Sequence, residues 1–137
     1  MFSNDRNELR QVFFETWDKH QKQLPLTPLQ AQLMDIIMLH PEYHALLNDP
    51  ENLQENDFPE ENPFLHLSLH LAIREQISTD RPAGINEIHR RLCHTFKDAH
   101  LAEHNMMECL GRVLWEAQKT HELPDENSYL EMLKQNL

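Results

Sequence analysis

The stretch 62-NPFLHLSLHLAIREQIST-79 decides the fold class, because it predicts a long helix with a defined start. Asn62 can cap a helix, and Pro63 suits the first turn, where its missing amide hydrogen costs nothing. At about 100° per residue, five aliphatic side chains form a broad apolar arc, namely Leu65, Leu67, Leu69, Ile73 and Ile77. His66 and His70 lie near the middle of that arc, so the helix turns two histidines toward the protein interior.

Two further helices are predicted upstream. The first runs from about Asn4 to Leu24, and its apolar residues recur at helical spacing: Leu9, Val12, Phe13 and Trp17. The second starts at Pro28 after the capping box formed by Thr27 and Gln30. Its stripe of Leu29, Leu33, Ile36 and Ile37 leads to His40. Pro41 ends or kinks this helix, because proline lacks the amide donor, and the segment 41-PEYHALL-47 predicts a short helical turn.

Downstream, an acidic loop over residues 48–62 and a turn at 80-DRPAG-84 separate the predicted helices. One helix covers about Asn86 to Lys97, a longer one about Ala99 to His121, and a short one ends at Leu133. The core face of the longest helix contains Met106, Met107, Leu110, Val113, Leu114 and Ala117. The pattern predicts an all-α protein: a compact helical bundle of about five to six helices with a four-helix core, in a single domain over residues 1–137.

Composition excludes several classes of function. The chain has 137 residues and a formal net charge of −11, which argues against a nucleic-acid surface. No apolar stretch approaches the roughly 18–20 residues of a membrane helix, and the N-terminus lacks the basic and apolar regions of a secretory signal. Cys93 and Cys109 are too few for a disulfide framework. These features predict a cytoplasmic protein.

Ten histidines are the one unusual count, and six of them form pairs four residues apart. The pairs are 40-HPEYH-44, 66-HLSLH-70 and 100-HLAEH-104. His44 would lie about 40° from His40 if the second helix continued. On the longest helix, Glu103 falls within the core face, His100 and His104 along its edge, and Glu108 further out. Of the four other histidines, His94 lies on the polar side of its helix, and His20 and His121 lie near helix ends.

Buried imidazoles need partners, because an unpaired buried polar group costs about 1–3 kcal/mol. A transition-metal ion satisfies several at once, and spacing of four residues brings two rings to one side of a helix. We therefore predict a metal site of one or two ions, with iron, manganese or zinc as candidates. Its predicted ligands are His40, His44, His66, His70, His100, Glu103, His104 and Glu108. Oxygen or peroxide chemistry and metal-assisted hydrolysis are both open to such a site.

The alternative is a non-enzymatic interaction module. Its acidic surface would meet a basic protein partner, and its histidines would form a hydrogen-bonded core without metal. A nucleophilic hydrolase is a more distant hypothesis, because Ser68 is predicted on a polar face and no GxSxG motif occurs. Cys109 is predicted to point away from the core. The sequence determines neither an oligomeric state nor a partner.

Four blocks of the sequence together resemble a known family: "HPEYH", "NPFLHLSLHLAIREQ", "DRPAGI" and "AEHNMMECLGRVLWEAQ". This is a proteobacterial family of uncharacterised proteins, domain of unknown function 1841, and the resemblance implies no activity. By architecture the predicted bundle is also similar to haemerythrins and DinB-type proteins, which gather histidines and carboxylates around metal. The chain has a single H-x-x-x-E spacing, His104 to Glu108, and not the ordered HxxxE pattern of haemerythrins. It also lacks the Glu-x-x-His pairs of ferritin-like proteins, so this second likeness is an analogy of fold.

Overall fold

A computed structural model of the chain describes residues 6–49 and 63–137, with side chains from residue 10 onward. The described residues form seven α-helices and a short 3-10 helix, Pro41–Tyr43, and contain no β-strand. The helices are α1 (Arg6–Gln21), α2 (Pro28–Met38), α3 (His44–Asn48), α4 (Pro63–Thr79), α5 (Ile85–Phe96), α6 (Ala99–Thr120) and α7 (Glu126–Lys134). The all-α prediction is confirmed, and the likeness to haemerythrin and DinB bundles stays an analogy.

The helix ends show which local predictions are correct. The capping box before α2 is present: Gln30 N–H donates to the Thr27 hydroxyl, and Thr27 N–H donates to Gln30 Oε1. Helix α1 ends before the predicted Leu24, because Gln23 adopts a left-handed φ of 56° and Leu24 N–H donates back to Lys19 O at 2.9 Å. The predicted start at residue 4, the cap at residue 62 and most of the acidic loop lie outside the described residues.

The chain divides into two compact units, residues 1–71 and 72–137. Helix α4 contributes residues 63–71 to the first unit and 72–79 to the second. The prediction of a single domain over residues 1–137 stays a prediction, as does that of a four-helix core. None of the described helices is both long and apolar enough to cross a lipid bilayer.

In the first unit, α1 packs against α2 and α3 around an apolar core. That core consists of Phe13, Trp17, Leu33, Met34, Ile36, Ile37, Leu47, Phe64, Leu67 and Leu71. The predicted apolar face of α4 is partly wrong, because Phe64 packs against Phe13 with ring centroids 5.9 Å apart while Leu65 is 57% exposed. Ser68 is buried rather than on a polar face, and its hydroxyl donates to Phe64 O at 2.7 Å.

In the second unit, α6 packs against α5 and α7. Four residues of the predicted core face of α6 are buried: Met106, Met107, Leu110 and Val113. Against them lie three buried side chains of α5 (Ile85, Ile88 and Leu92) and two of α7 (Tyr129 and Leu133). Two predictions for α6 are wrong. Leu114 is 41% exposed, and Cys109 is buried, because the segment after α7 reaches it and brings Asn136 Nδ2 to 3.7 Å from its sulfur.

Candidate metal centre

Three histidines of the first unit bring their Nε2 atoms together. His40 Nε2 lies 2.9 Å from His70 Nε2 and 3.2 Å from His66 Nε2. The third side of the triangle, between His66 and His70, is also 3.2 Å. His40 and His70 are buried and His66 is half-buried. The structure therefore joins one predicted pair, His66 and His70, with one member of another.

Local structure explains how each ring reaches the triangle. His66 and His70 are one turn apart on α4, so both rings project from the same side of the helix. His40 follows the end of α2, and both of its main-chain groups are bonded. Its N–H donates to Ile37 O at 3.0 Å, and its carbonyl accepts from Tyr43 N–H at 3.0 Å. The His40 backbone is thus held by the turn that Pro41 begins.

Hydrogen bonding alone cannot satisfy this triangle. A neutral imidazole nitrogen either carries a proton and donates, or lacks it and accepts. Each favourable contact needs one donor and one acceptor, but three mutually adjacent atoms cannot alternate between two states. At least one of the three contacts must therefore pair two donors or two acceptors. Such a contact is repulsive, and it is costly between buried groups.

A metal ion removes this conflict, because all three nitrogens can then present lone pairs to the same cation. The size of the triangle suits that role. Its centre lies about 1.8 Å from each nitrogen, slightly less than the about 2.0–2.1 Å between zinc and an imidazole nitrogen. The three histidines thus have the chemistry and the spacing of a metal-ligand set.

The His40 ring also has contacts on its other side. Glu42 Oε1 lies 3.4 Å from His40 Nδ1, the nitrogen that faces away from the triangle. The Tyr43 ring packs edge-on against His40, with centroids 5.4 Å apart, and lies 6.2 Å from the His66 ring. Both residues belong to the 3-10 helix Pro41–Tyr43. Glu42 was not among the residues predicted from the sequence, although its position two residues after His40 is visible in the HPE sequence.

The structure does not bring His44 into the triangle. The Nε2 atom of His44 donates to Ile37 O at 2.9 Å, because a carbonyl oxygen can only accept. The ring lies against Trp17, with centroids 4.7 Å apart. The 3-10 turn after Pro41 is the reason, since it redirects the chain before His44 reaches the face predicted for a continuous helix. His44 binds the end of α2 rather than joining the other rings.

The remaining predicted ligands lie on α6 in the second unit. His100 and His104 are half-buried, with ring centroids 4.1 Å apart. Glu103 is buried as predicted and accepts a hydrogen bond from Arg74 Nε at 3.1 Å, a partner that was not predicted from the sequence. Glu108 is exposed. That these four residues bind metal stays a prediction.

Comparison with known proteins gives a family and no activity. The family profile described as "Domain of unknown function (DUF1841)" matches residues 5–135. No curated protein and no solved structure matches the chain.

Proposed function

We propose that this chain, which belongs to the DUF1841 family, is a metal-binding protein in which His40, His66 and His70 hold one divalent transition-metal ion through their Nε2 atoms. The observation that carries the proposal is the closed triangle of nitrogen contacts, with sides of 2.9, 3.2 and 3.2 Å. A cation makes all three contacts compatible, whereas protons shared among the rings leave at least one of them repulsive.

The ligand types narrow the choice of metal. Imidazole nitrogen suits zinc, iron, copper and nickel, whereas manganese prefers carboxylate, carbonyl and water oxygens. All three ligands in the triangle are histidines, so zinc and iron are favoured over manganese among the metals predicted from the sequence. The triangle accounts for one ion. A second ion would require ligands from the predicted set on α6.

Many catalytic zinc sites also have three protein ligands, and a water molecule takes the fourth position. Zinc in such a site lowers the pKa of bound water to about 7 and so supplies a nucleophile at neutral pH. We propose metal-assisted hydrolysis as the reaction class if zinc is the resident ion, and oxygen or peroxide chemistry if it is iron. The chain's own part is to hold three neutral imidazoles in the tautomer that carries its proton on Nδ1.

Elemental analysis of untagged protein tests the proposal. We compare the wild type with a His66→Ala, His70→Ala double variant, after purification without chelator and after incubation with Zn²⁺ or Fe²⁺. The matched control is a His94→Ala, His121→Ala double variant, because both of those histidines are exposed. A single His66→Gln variant replaces a half-buried ring and guards against misfolding of the double variant. Circular dichroism verifies that each variant is helical.

We expect about one equivalent of metal in the wild type and in the control, and little in either triangle variant. The proposal is wrong if the wild type binds no metal after incubation, or if folded triangle variants retain as much metal as the control. In the first case the alternative of an acidic protein-interaction module gains support. The net charge of −11 then points to a basic partner.

A further inference from the structure

Glu42 lies beside one of the proposed metal ligands, on the side of the His40 ring that faces away from the metal site. Its Oε1 atom lies 3.4 Å from His40 Nδ1, within ion-pair distance but outside hydrogen-bond geometry, so a small movement of the exposed carboxylate would complete the bond. The two nitrogens of an imidazole ring have linked roles, because a ring that binds metal through Nε2 must carry its proton on Nδ1. A carboxylate beside Nδ1 therefore favours the tautomer of His40 that directs a lone pair into the triangle.

The backbone brings His40 and Glu42 close together. His40 and Glu42 are two residues apart across the start of the 3-10 helix, and His40 O accepts from Tyr43 N–H at 3.0 Å. From this turn the Glu42 carboxylate reaches the outer nitrogen of the His40 ring. The His40 side chain is 2% exposed, whereas the Glu42 side chain is 59% exposed. The carboxylate therefore stays hydrated while it approaches a buried ring.

The charge of Glu42 supports the same role. Three neutral imidazoles leave the two positive charges of a divalent ion uncompensated within the triangle. Carboxylates that accept the distal N–H of a metal-bound histidine raise the basicity of that ligand and fix its orientation. Glu42 places such a carboxylate 3.4 Å from the outer nitrogen of His40.

We propose that Glu42 is a positioning residue for the metal site, which accepts the Nδ1–H of His40 and thereby strengthens metal binding by the triangle. This inference rests on the proposed function and adds a residue that does not touch the metal. Because the Glu42 side chain is largely exposed, its replacement removes the carboxylate without opening a cavity in the core.

The test is the affinity for Zn²⁺, measured by competition with a chromophoric chelator for the wild type, Glu42→Ala and Glu42→Gln. Glu15→Ala is the matched control, because Glu15 is an exposed carboxylate on α1 and its loss changes the net charge equally. Removal of such outer partners weakens metal binding by about 10–100-fold. We expect a loss of that size for Glu42→Ala and a smaller loss for Glu42→Gln, because the amide oxygen can still accept Nδ1–H.

Thermal unfolding in excess chelator supplies the second readout, and we expect the metal-free Glu42→Ala variant to unfold at the wild-type temperature. The inference is overturned if Glu42→Ala binds Zn²⁺ as tightly as wild type, or if Glu15→Ala weakens binding by the same factor. Failure of the proposed function looks different, since the wild type itself would then bind no Zn²⁺. That outcome also removes the role of Glu42.

Discussion

The Nε2 atoms of His40 and His70 lie 2.9 Å apart, although 30 positions separate the two residues in the chain. Both side chains are nearly inaccessible to solvent, with exposed fractions of 2% and 0%. As an isolated pair they could share one hydrogen bond. With His66 Nε2 at 3.2 Å from each, no placement of protons makes all three contacts favourable. This local conflict is what a bound cation resolves, and it leads to predictions beyond metal content.

Replacement of His66 by leucine should separate metal binding from folding. In the metal-free protein, His66→Leu removes the repulsive contact and leaves His40 and His70 with one compatible hydrogen bond. We therefore expect its free energy of unfolding in chelator to equal the wild-type value or to exceed it by about 1 kcal/mol. Zn²⁺ should stabilise the wild type and not the variant. Urea unfolding with and without Zn²⁺ measures both effects, and a loss of about 2 kcal/mol in chelator would contradict this account.

The partly buried ion pair between Arg74 and Glu103 should stabilise the second unit more than a surface pair does. Arg74 Nε lies 3.1 Å from Glu103 Oε1, with side chains 30% and 9% exposed. We expect Arg74→Ala to cost about 1–3 kcal/mol, because it removes the guanidinium from a buried carboxylate. Arg90→Ala is the control: its pair with Glu87 is 76% and 56% exposed, and such pairs contribute about 0–1 kcal/mol. Equal losses of unfolding free energy in the two variants would show that the Arg74 pair has no special role.

His89 should make the protein less stable in mild acid. Burial lowers the pKa of His89 from its ordinary value of 6.5, and the nearby Glu103 carboxylate partly opposes this shift. The unfolded chain therefore takes up the proton first as the pH falls. The stabilising contribution of neutral His89 is complete above pH 6.5 and is lost as the pH falls through the lower, folded-state pKa. We expect a shallower loss of unfolding free energy below that pH in His89→Gln, whereas identical profiles would contradict the prediction.

The predicted ligands on α6 require their own test. If His100 and His104 bind metal, a His100→Ala, His104→Ala double variant should alter the visible absorption of the Co²⁺-loaded protein, because those bands depend on the number and type of ligands. His20→Ala, His94→Ala is the control, since both of those histidines are exposed. An unchanged spectrum at full Co²⁺ occupancy would remove the pair from the ligand set and leave the His40, His66 and His70 triangle unaffected.

The sequence predicted the features that depend on a single helix. Spacing of four residues placed His66 and His70 on one side of α4, and the stripe of α2 led correctly to a buried His40. The same reasoning failed for His44, because helical periodicity does not continue through a 3-10 turn. Residues that a later segment covers were also missed. Cys109 is buried where Asn136 approaches it, a contact between positions 27 residues apart that periodicity within α6 cannot indicate.

The sequence also does not predict the polar partners that a side chain finds on other segments of the chain. The sequence predicts Glu103 as a metal ligand, whereas in the structure its carboxylate accepts a hydrogen bond from Arg74, which lies 29 positions earlier in the chain. The spacing in HPEYH predicts a histidine pair, whereas in the structure a carboxylate of the same block, Glu42, lies beside the outer nitrogen of His40. Spacing along one helix reports which side chains share a face. It does not show which polar side chains form hydrogen bonds or ion pairs with residues of other segments in the folded protein.

The most direct test of the central claim is the ¹⁵N NMR spectrum of the histidine side chains, recorded in chelator and after addition of one equivalent of Zn²⁺. Ring nitrogen shifts distinguish protonated, unprotonated and metal-bound atoms. We predict that His40, His66 and His70 each show a metal-bound Nε2 and a protonated Nδ1, while the exposed His94 and His121 keep their chelator spectra. Unchanged Nε2 shifts in the three triangle histidines would contradict the metal site.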